Sequence, residues 1–207
     1  MQLDSTIIAS TNRGKIEEYS VLLGATPMWG RITDLLEAGS EPAPQEAGET
    51  YIENAILKAR HACTRLNTPA IGDDGGLEVP SLGGVPGLLT ARFTRAHGGA
   101  TEAMKILARR AGLPVETPAG TDPRGTSNVV AATAHCAVAL ALPDGTTFTG
   151  VGTIEGTLQW PPHPEGPGLF PLFCGRQPWD CDAEVLLHRA TAFEALLRDI
   201  SSRWSSP

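Results

Sequence analysis

Between residues 49 and 66, in "ETYIENAILKARHACTRL", apolar side chains return every three or four positions: Ile52, Ala55, Ile56, Ala59, Ala62, Cys63 and Leu66. That spacing gathers them on one stripe and predicts an amphipathic helix. Asn54 and Lys58 are four apart and so project from one face of it, away from the middle of the stripe. Nearer the amino terminus, "STIIAS", residues 5 to 10, is a β-branched run that gives way to Ser, Thr and Asn, after which "RGKIEEYSVLL" takes up helical spacing. The prediction there is a strand, a tight polar loop and a helix.

"PAIGDD", residues 69 to 74, reads as a short buried strand that ends at two aspartates, with the chain bending away through Gly75 and Gly76. "GGATEAMKILARRAG" predicts a helix stopped by Gly112 and Pro114. Two β-type runs flank a "PDGT" turn between residues 127 and 158, the pattern of a long antiparallel hairpin. Residues 160 to 180 are crowded with Pro, Gly and aromatics and predict an irregular, well-packed loop. The final seam, Leu186, Ala190, Phe193, Leu197, Ile200 and Trp204, alternates steps of four and three and predicts a helix packed on the body. Strands and helices alternate without an internal repeat or low-complexity linker, so one mixed α/β domain covering 1–207 is expected.

A chain of 207 residues is long enough to bury most of a sizeable core. Its net charge of −7, spread along the chain, argues against a surface that neutralises nucleic-acid phosphates. Any phosphate it handles is therefore expected on a small molecule. "MQLDSTIIAS" lacks the basic segment and apolar run of a signal peptide, and no later segment stays apolar for the roughly 20 residues of a membrane span. A cytoplasmic protein without a membrane partner is the expectation. Cys63, Cys136, Cys174 and Cys181 lack the close paired spacing of a zinc site, are too few for a disulfide framework, and read as buried or incidental thiols.

Three short stretches could carry chemistry. Asp73 and Asp74 precede two glycines that let backbone and metal come close, and hard divalent cations such as magnesium are commonly held by one or two carboxylates plus substrate phosphates. Taken alone, a solvated turn explains the pair better. "ASTNRGK", residues 9 to 15, offers Ser10 and Asn12 as capping side chains at a helix start that favours an anion, with Lys15 as a point charge for phosphate. It is too short for a Gly-rich phosphate loop, and taken alone an ordinary cap with a surface lysine accounts for it better. Glu46 and Glu49 stand ahead of the helix that bears Asn54 and Lys58; acids near a helix start and a lysine on a polar face are commonplace singly.

Taken together, "IIASTNRGKIEEY", "GETYIENAILKARHA" and "AIGDDGGLEVPSLGGVPGLLTARF", with "GTIEGTL" further on, resemble the inosine triphosphate pyrophosphatase family, house-cleaning enzymes that hydrolyse non-standard purine nucleoside triphosphates. The resemblance covers residues 6 to about 95 closely and the remainder loosely. It implies a mixed α/β fold with an elongated central sheet and two lobes around a deep nucleotide cleft, in a homodimer. It also implies magnesium-dependent cleavage between the α- and β-phosphates, giving nucleoside monophosphate and pyrophosphate. Carried over residue by residue, Ser10, Asn12, Lys15 and Lys58 would hold the triphosphate. Glu46 and Asp74 would bind magnesium with Asp73 in support, and Asp74 would position or deprotonate the attacking water. Such chemistry asks for positive charge around the phosphoryl oxygens and a carboxylate beside the nucleophile.

The chain departs from the family in the base pocket. Gly75 stands where relatives have a serine beside the phosphates, and "GPGLFPLF", residues 166 to 173, replaces a Gly-Phe-Gly-Tyr-Asp-Pro type of motif, with Pro167 for the stacking aromatic and Phe170 for the aspartate. The terminal segment keeps His188 and Arg189, which in the family help to read a 6-oxo purine, but has Leu187 for serine and no preceding lysine. A site that loses its base-reading groups shifts or relaxes its choice. The leading expectation is thus a pyrophosphohydrolase redirected to a modified or adenine-type nucleotide of a biosynthetic pathway. The alternatives are an ordinary house-cleaning enzyme for inosine, xanthosine and deoxyinosine triphosphates, and a nucleotide-binding protein without catalysis.

Overall fold

Successive side chains of a strand point to opposite faces, and here that alternation decides which helix each strand residue meets. The computed structural model describes residues 2–39, 44, 46–115, 129–163, 168–175 and 187–204. The strands are β1 (Ser5–Ile8), β2 (Arg31–Asp34), β3 (Ala70–Glu78), β4 (Val129–Ala141), β5 (Thr147–Gln159) and β6 (Phe173–Gly175), in one sheet of order β2-β1-β3-β4-β5-β6. β1 runs parallel to β2 and β3, pairing Ile7 with Ala70 and Ile8 with Ile71, while β5 and β6 are antiparallel. The helices are α1 (Arg13–Gly24), α2 (Tyr51–Leu66), α3 (Thr90–Ala96), α4 (Ala100–Arg110) and α5 (Leu187–Arg203). The expected mixed α/β architecture is present. No helix among the described residues is long and apolar enough to cross a membrane.

The chain divides into two compact units, each assembled from separate stretches: residues 1–74, 136–153 and 184–207 in the first, 75–135 and 154–183 in the second. In the first, Ile8, Ile71, Cys136, Val138 and Leu140 pack with Tyr19 and Leu23 of α1 and with Ala192, Phe193, Leu196 and Ile200 of α5. The alternate strand positions, Ile7, Ala9, Ala70, Ala137, Ala139 and Ala141, pack with Ala55, Ala59, Ala62 and Cys63 of α2. Small side chains on that face let α2 lie close: a Cβ added to Gly72 would stand 2.5 Å from Ala59 N and 2.6 Å from Ala55 O. In the second unit, Leu77, Val79, Phe93, Leu107, Ala132, Ala134, Leu158, Leu169 and Leu172 form a separate apolar cluster.

Several elements depart from the sequence pattern. β3 does not end at Asp74 or turn through the glycines; it continues as strand to Glu78, and neither Gly75 nor Gly76 takes a positive φ. β1 pairs only with Ala70 and Ile71 at the start of β3, and β4, its neighbour on the other side, continues the sheet past a segment whose local composition favours a turn. Asn54 and Lys58 are buried rather than solvated, because α2 covers the end of the acidic strand. The buried line of α5 is Ala192, Phe193, Leu196 and Ile200, with Leu197 and Trp204 at its edge. It is offset because α5 crosses β5 at Gly150 and Gly152, where a Cβ would overlap the backbone of Ala192, Leu196 and His188. Leu186 lies outside the described residues. Cys63 and Cys136 are buried free thiols as expected, whereas Cys174 is disulfide-bonded. Of the aromatic loop between 160 and 180, a 3-10 turn, Phe170–Leu172, and β6 are ordered elements that the pattern did not mark.

Candidate functional site

In open α/β sheets, ligands collect beyond the carboxyl ends of parallel strands; here the loop that leaves β1 at that end lies beside Asp73 and Asp74, which stand inside β3. Ala9 N donates to Ile71 O at 2.7 Å, so the 9–12 loop starts level with the residues just before Asp73. Ser10 Oγ accepts the Asn12 amide at 3.1 Å, and Asn12 Oδ1 caps α1 by accepting the Lys15 amide at 3.4 Å. Lys15 is thereby fixed in the first turn of α1. Its Nζ lies 3.0 Å from both Oδ1 and Oδ2 of Asp73.

Asp73 shares strand parity with Ile71 and faces α1 and α5. Arg189, in the first turn of α5, donates through Nε to Asp73 Oδ2 at 3.4 Å and through Nη1 to Glu18 Oε2 at 2.6 Å. Asp74 has the parity of Gly72 and faces α2. Lys58 Nζ reaches Asp74 Oδ1 at 3.1 Å, Glu46 Oε1 at 2.6 Å and the carbonyl oxygen of Asp73 at 3.0 Å. Asn54 donates through Nδ2 to Asp74 Oδ2 at 3.1 Å and accepts the Gly48 amide through Oδ1 at 2.8 Å. It therefore ties the segment that carries Glu46 to the acidic strand. A reciprocal capping box between Thr50 and Glu53 fixes where α2 begins, and with it this geometry.

These surroundings drive the two carboxyls apart. Burial alone would raise Asp73, but Lys15, Arg189 and Lys58 outweigh it and bring the group down to about 2. Burial raises Asp74, with Glu46 adding to it, and here Lys58 and Lys15 do not fully compensate. Burial would lower Lys58, yet Asp74, Asp73 and Glu46 hold it above its ordinary value, so the ammonium stays charged. Neighbouring carboxyls shifted in opposite directions by their surroundings are a common mark of divided labour in a site. Behind Asp73, Tyr19 Oη and Cys136 Sγ lie 3.8 Å apart, and burial, with the negative charge of Asp73, pushes the thiol up to about 12. Cys136 is no nucleophile at neutral pH.

The structure thus brings Ser10, Asn12, Lys15, Glu46, Lys58, Asp73, Asp74 and Arg189 into one constellation inside the first unit. His188 is buried one residue ahead of Arg189. Gly75 is half-buried, directly after Asp74 on β3, and Phe170 packs against the apolar cluster of the second unit. Pro167 and the side chain of Leu187 lie outside the described residues. Two participants escaped the pattern. Asn54 was visible as a partner of Lys58 on its helix but not as the residue that holds Asp74. Glu18, one turn beyond Lys15, carried no signal, since only α5 shows what it pairs with.

The molecule is thus an α/β protein in which carboxylates and cations interleave where α1, α2 and α5 meet β3. The Ham1 family model matches residues 6–198, and the chain belongs to the Ham1 family. It is 37% identical over 202 residues to a dITP/XTP pyrophosphatase of Rhodospirillum centenum, covering 94% of this chain and 93% of that protein. It is 38% identical over 168 residues to a dITP/XTP pyrophosphatase of Exiguobacterium, covering 81% and 78% respectively. Among solved structures, a HAM1 protein from Coxiella burnetii is similar with a TM-score of 0.72 and 26% identity, over 98% of this chain and all of that one.

Proposed function

We propose that this chain is a house-cleaning nucleoside triphosphate pyrophosphatase for dITP- and XTP-type substrates, with residues 1–207 acting as one catalytic domain. It is a hydrolase of phosphoric anhydrides, the activity that its relatives' names carry. The observation that carries the reading is the pairing of Glu46 and Asp74 across Lys58, next to Asp73 held by Lys15. That arrangement supplies carboxylates for a metal and a proton, and ammonium groups for a triphosphate. The expectation of a modified or adenine-type nucleotide gains no support: the dITP/XTP name recurs among relatives of 32–38% identity, two of them matching more than nine-tenths of this chain. The ordinary house-cleaning reading takes its place.

The roles rest on the family resemblance together with these contacts. Lys15, Lys58, Ser10 and Asn12 hold the triphosphate. Water attacks the α-phosphorus, the bond from that phosphorus to the α,β-bridging oxygen breaks, and pyrophosphate leaves with the electron pair. Asp74, whose carboxyl is raised by burial, accepts the water's proton. Asp73 stays ionised and keeps Lys15 and Arg189 in place. Glu46 and Asp74 would hold Mg2+, and the fit is testable on the structure, because their oxygens already converge on a single cation, the Lys58 ammonium. Among the described residues no group of three or more His, Cys, Asp or Glu is arranged to hold a metal ion, and a two-carboxylate site completed by phosphates is what Mg2+ commonly uses. The ion would supply charge that offsets the phosphate oxygens as the bond breaks.

On the base side the reading rests on His188 and Arg189, with Arg189 held by Glu18 and Asp73. A homodimer, a cytoplasmic location and the lack of nucleic-acid or membrane partners complete it, on the family resemblance and the net charge of −7. The test is a turnover panel with Mg2+ over inosine, xanthosine, deoxyinosine, adenosine and sugar-modified adenosine triphosphates, with chromatography of products. The expected result is pyrophosphate and monophosphate, with kcat/KM at least about tenfold higher for inosine and xanthosine nucleotides than for adenosine ones, as hydrogen-bonded reading of a base edge allows. Release of orthophosphate, or preference for an adenine nucleotide, would overturn the assignment.

A further inference from the structure

We propose that Lys58 is the resident cation of the metal-free site: its ammonium group holds the place between Glu46 and Asp74 that the divalent metal takes, and turns to the substrate's phosphates once the metal displaces it. The inference rests on the pyrophosphatase reading above and concerns how this chain's own residues receive the metal. An ammonium group has three N–H donors and no acceptor. Three oxygens surround it: Glu46 Oε1 at 2.6 Å, Asp74 Oδ1 at 3.1 Å and the Asp73 carbonyl at 3.0 Å. In this arrangement no donor remains for a phosphate. Lys58 cannot serve the triphosphate and both carboxylates at once, so its family role requires it to leave one of them.

Coulomb repulsion names which contacts are lost. Lys58 is 8% exposed and Asp74 5%, so water screens little between them. A divalent ion and an ammonium group on the same two carboxylate oxygens would repel strongly. The Asp73 carbonyl, by contrast, is a backbone acceptor that either state can keep. The four-carbon stem of lysine lets the head group move while α2 stays packed. The carboxylates therefore never stand without a cation, and a positive charge is released just where a metal–triphosphate complex brings negative charge. Lys15 cannot play this part, because it is paired with Asp73 on the opposite face of β3.

Mn2+ binding to the full chain without nucleotide, followed by the electron paramagnetic resonance of the free ion, tests the exchange. Lys58→Met should bind Mn2+ at least about tenfold more tightly than wild type, while Lys58→Arg and Lys15→Met should stay within about threefold of it. At saturating Mn2+ the same Lys58→Met protein should show a KM for triphosphate raised at least about tenfold. Opposite signs for metal and nucleotide cannot come from a merely structural loss. Should Lys58→Met be less stable, Mn2+ should raise its Tm more than it raises that of wild type. Equal or weaker Mn2+ binding by Lys58→Met, or equal thermal shifts, overturns the exchange while metal-dependent turnover by wild type leaves the pyrophosphatase reading intact. Wild-type turnover that needs no metal sinks both.

Discussion

Asp73 and Asp74 are adjacent in sequence, yet strand alternation sends one toward α1 and α5 and the other toward α2, and their substitution should separate structure from chemistry. Asp73 is depressed from 3.8 to about 2, so its ionisation stabilises the fold at pH values above the unfolded carboxyl's and is lost as pH falls through the folded value. A shift of that size corresponds to about 2 kcal/mol; counted from the partners' side, the same pairing with buried Arg189 and half-buried Lys15 is the kind whose loss costs about 3–5 kcal/mol when one buried partner is removed, so the two figures overlap. Asp73→Asn is expected to lower the unfolding free energy at pH 7 by about 3 kcal/mol, with the gap to wild type narrowing as pH drops from about 4 toward 2. Asp74 runs the other way: a carboxyl raised by burial costs stability above its folded value, so Asp74→Asn should leave the Tm unchanged or higher. Its turnover should fall about a thousandfold, since it loses the proton acceptor. Guanidinium unfolding at several pH values, set beside turnover, checks both; equal destabilisation by the two substitutions would refute the division.

Elements carry these residues to one place by close packing, and glycine is where the packing is least forgiving. A Cβ on Gly152 of β5 would overlap the His188 carbonyl and the Ala192 amide, both backbone atoms of α5 that cannot swing aside. Gly152→Ala should push the first turns of α5 outward, carrying Arg189 from Asp73, at a cost of about 1–3 kcal/mol, or roughly 2–10 °C in Tm for a chain this long. Gly24, the last residue of α1, would meet nothing within 4 Å, and Gly24→Ala should be neutral or stabilising. Paired thermal melts decide it; similar Tm values for the two variants would show that α5 can give way. The same packing explains what the pattern disclosed. α2, with a stripe repeated over four turns, and α1, opened by an Asn cap, were legible. β2, four residues without alternation, was not. The alanines of β4 blurred its strand signal because they face a helix that must come close, while Cys136, Val138 and Leu140 face the other side. The continuation of β3 past Asp74 depends on its sheet neighbour β4, distant in sequence, which no local reading contains.

For the whole molecule, the phosphate half of the site was legible because Ser10, Asn12, Lys15, Glu46, Lys58, Asp73 and Asp74 belong to blocks whose order matches a family, and one compact unit unites them. The partnerships were not, since Glu18 meets Arg189 across 171 positions of chain. Nor did the departures around residues 166 to 173 foretell the substrate class that the relatives carry, because replaced base-reading groups say what is missing and not what has taken over. Chain connectivity leads to a last expectation. Three of the four boundaries between the units, at 74/75, 135/136 and 153/154, fall inside β3, β4 and β5, so three strands contribute side chains to the apolar clusters of both. Melting one unit removes hydrogen-bonded strand continuity from the other, which couples their unfolding even though each has its own core. Urea unfolding should therefore show one transition, with coincident midpoints from far-UV circular dichroism, which sees the helices of both units, and from tryptophan fluorescence, to which the fully buried Trp29 of the first unit contributes. Separated midpoints, or a plateau between two transitions, would mean that each unit holds its strands without the other's help.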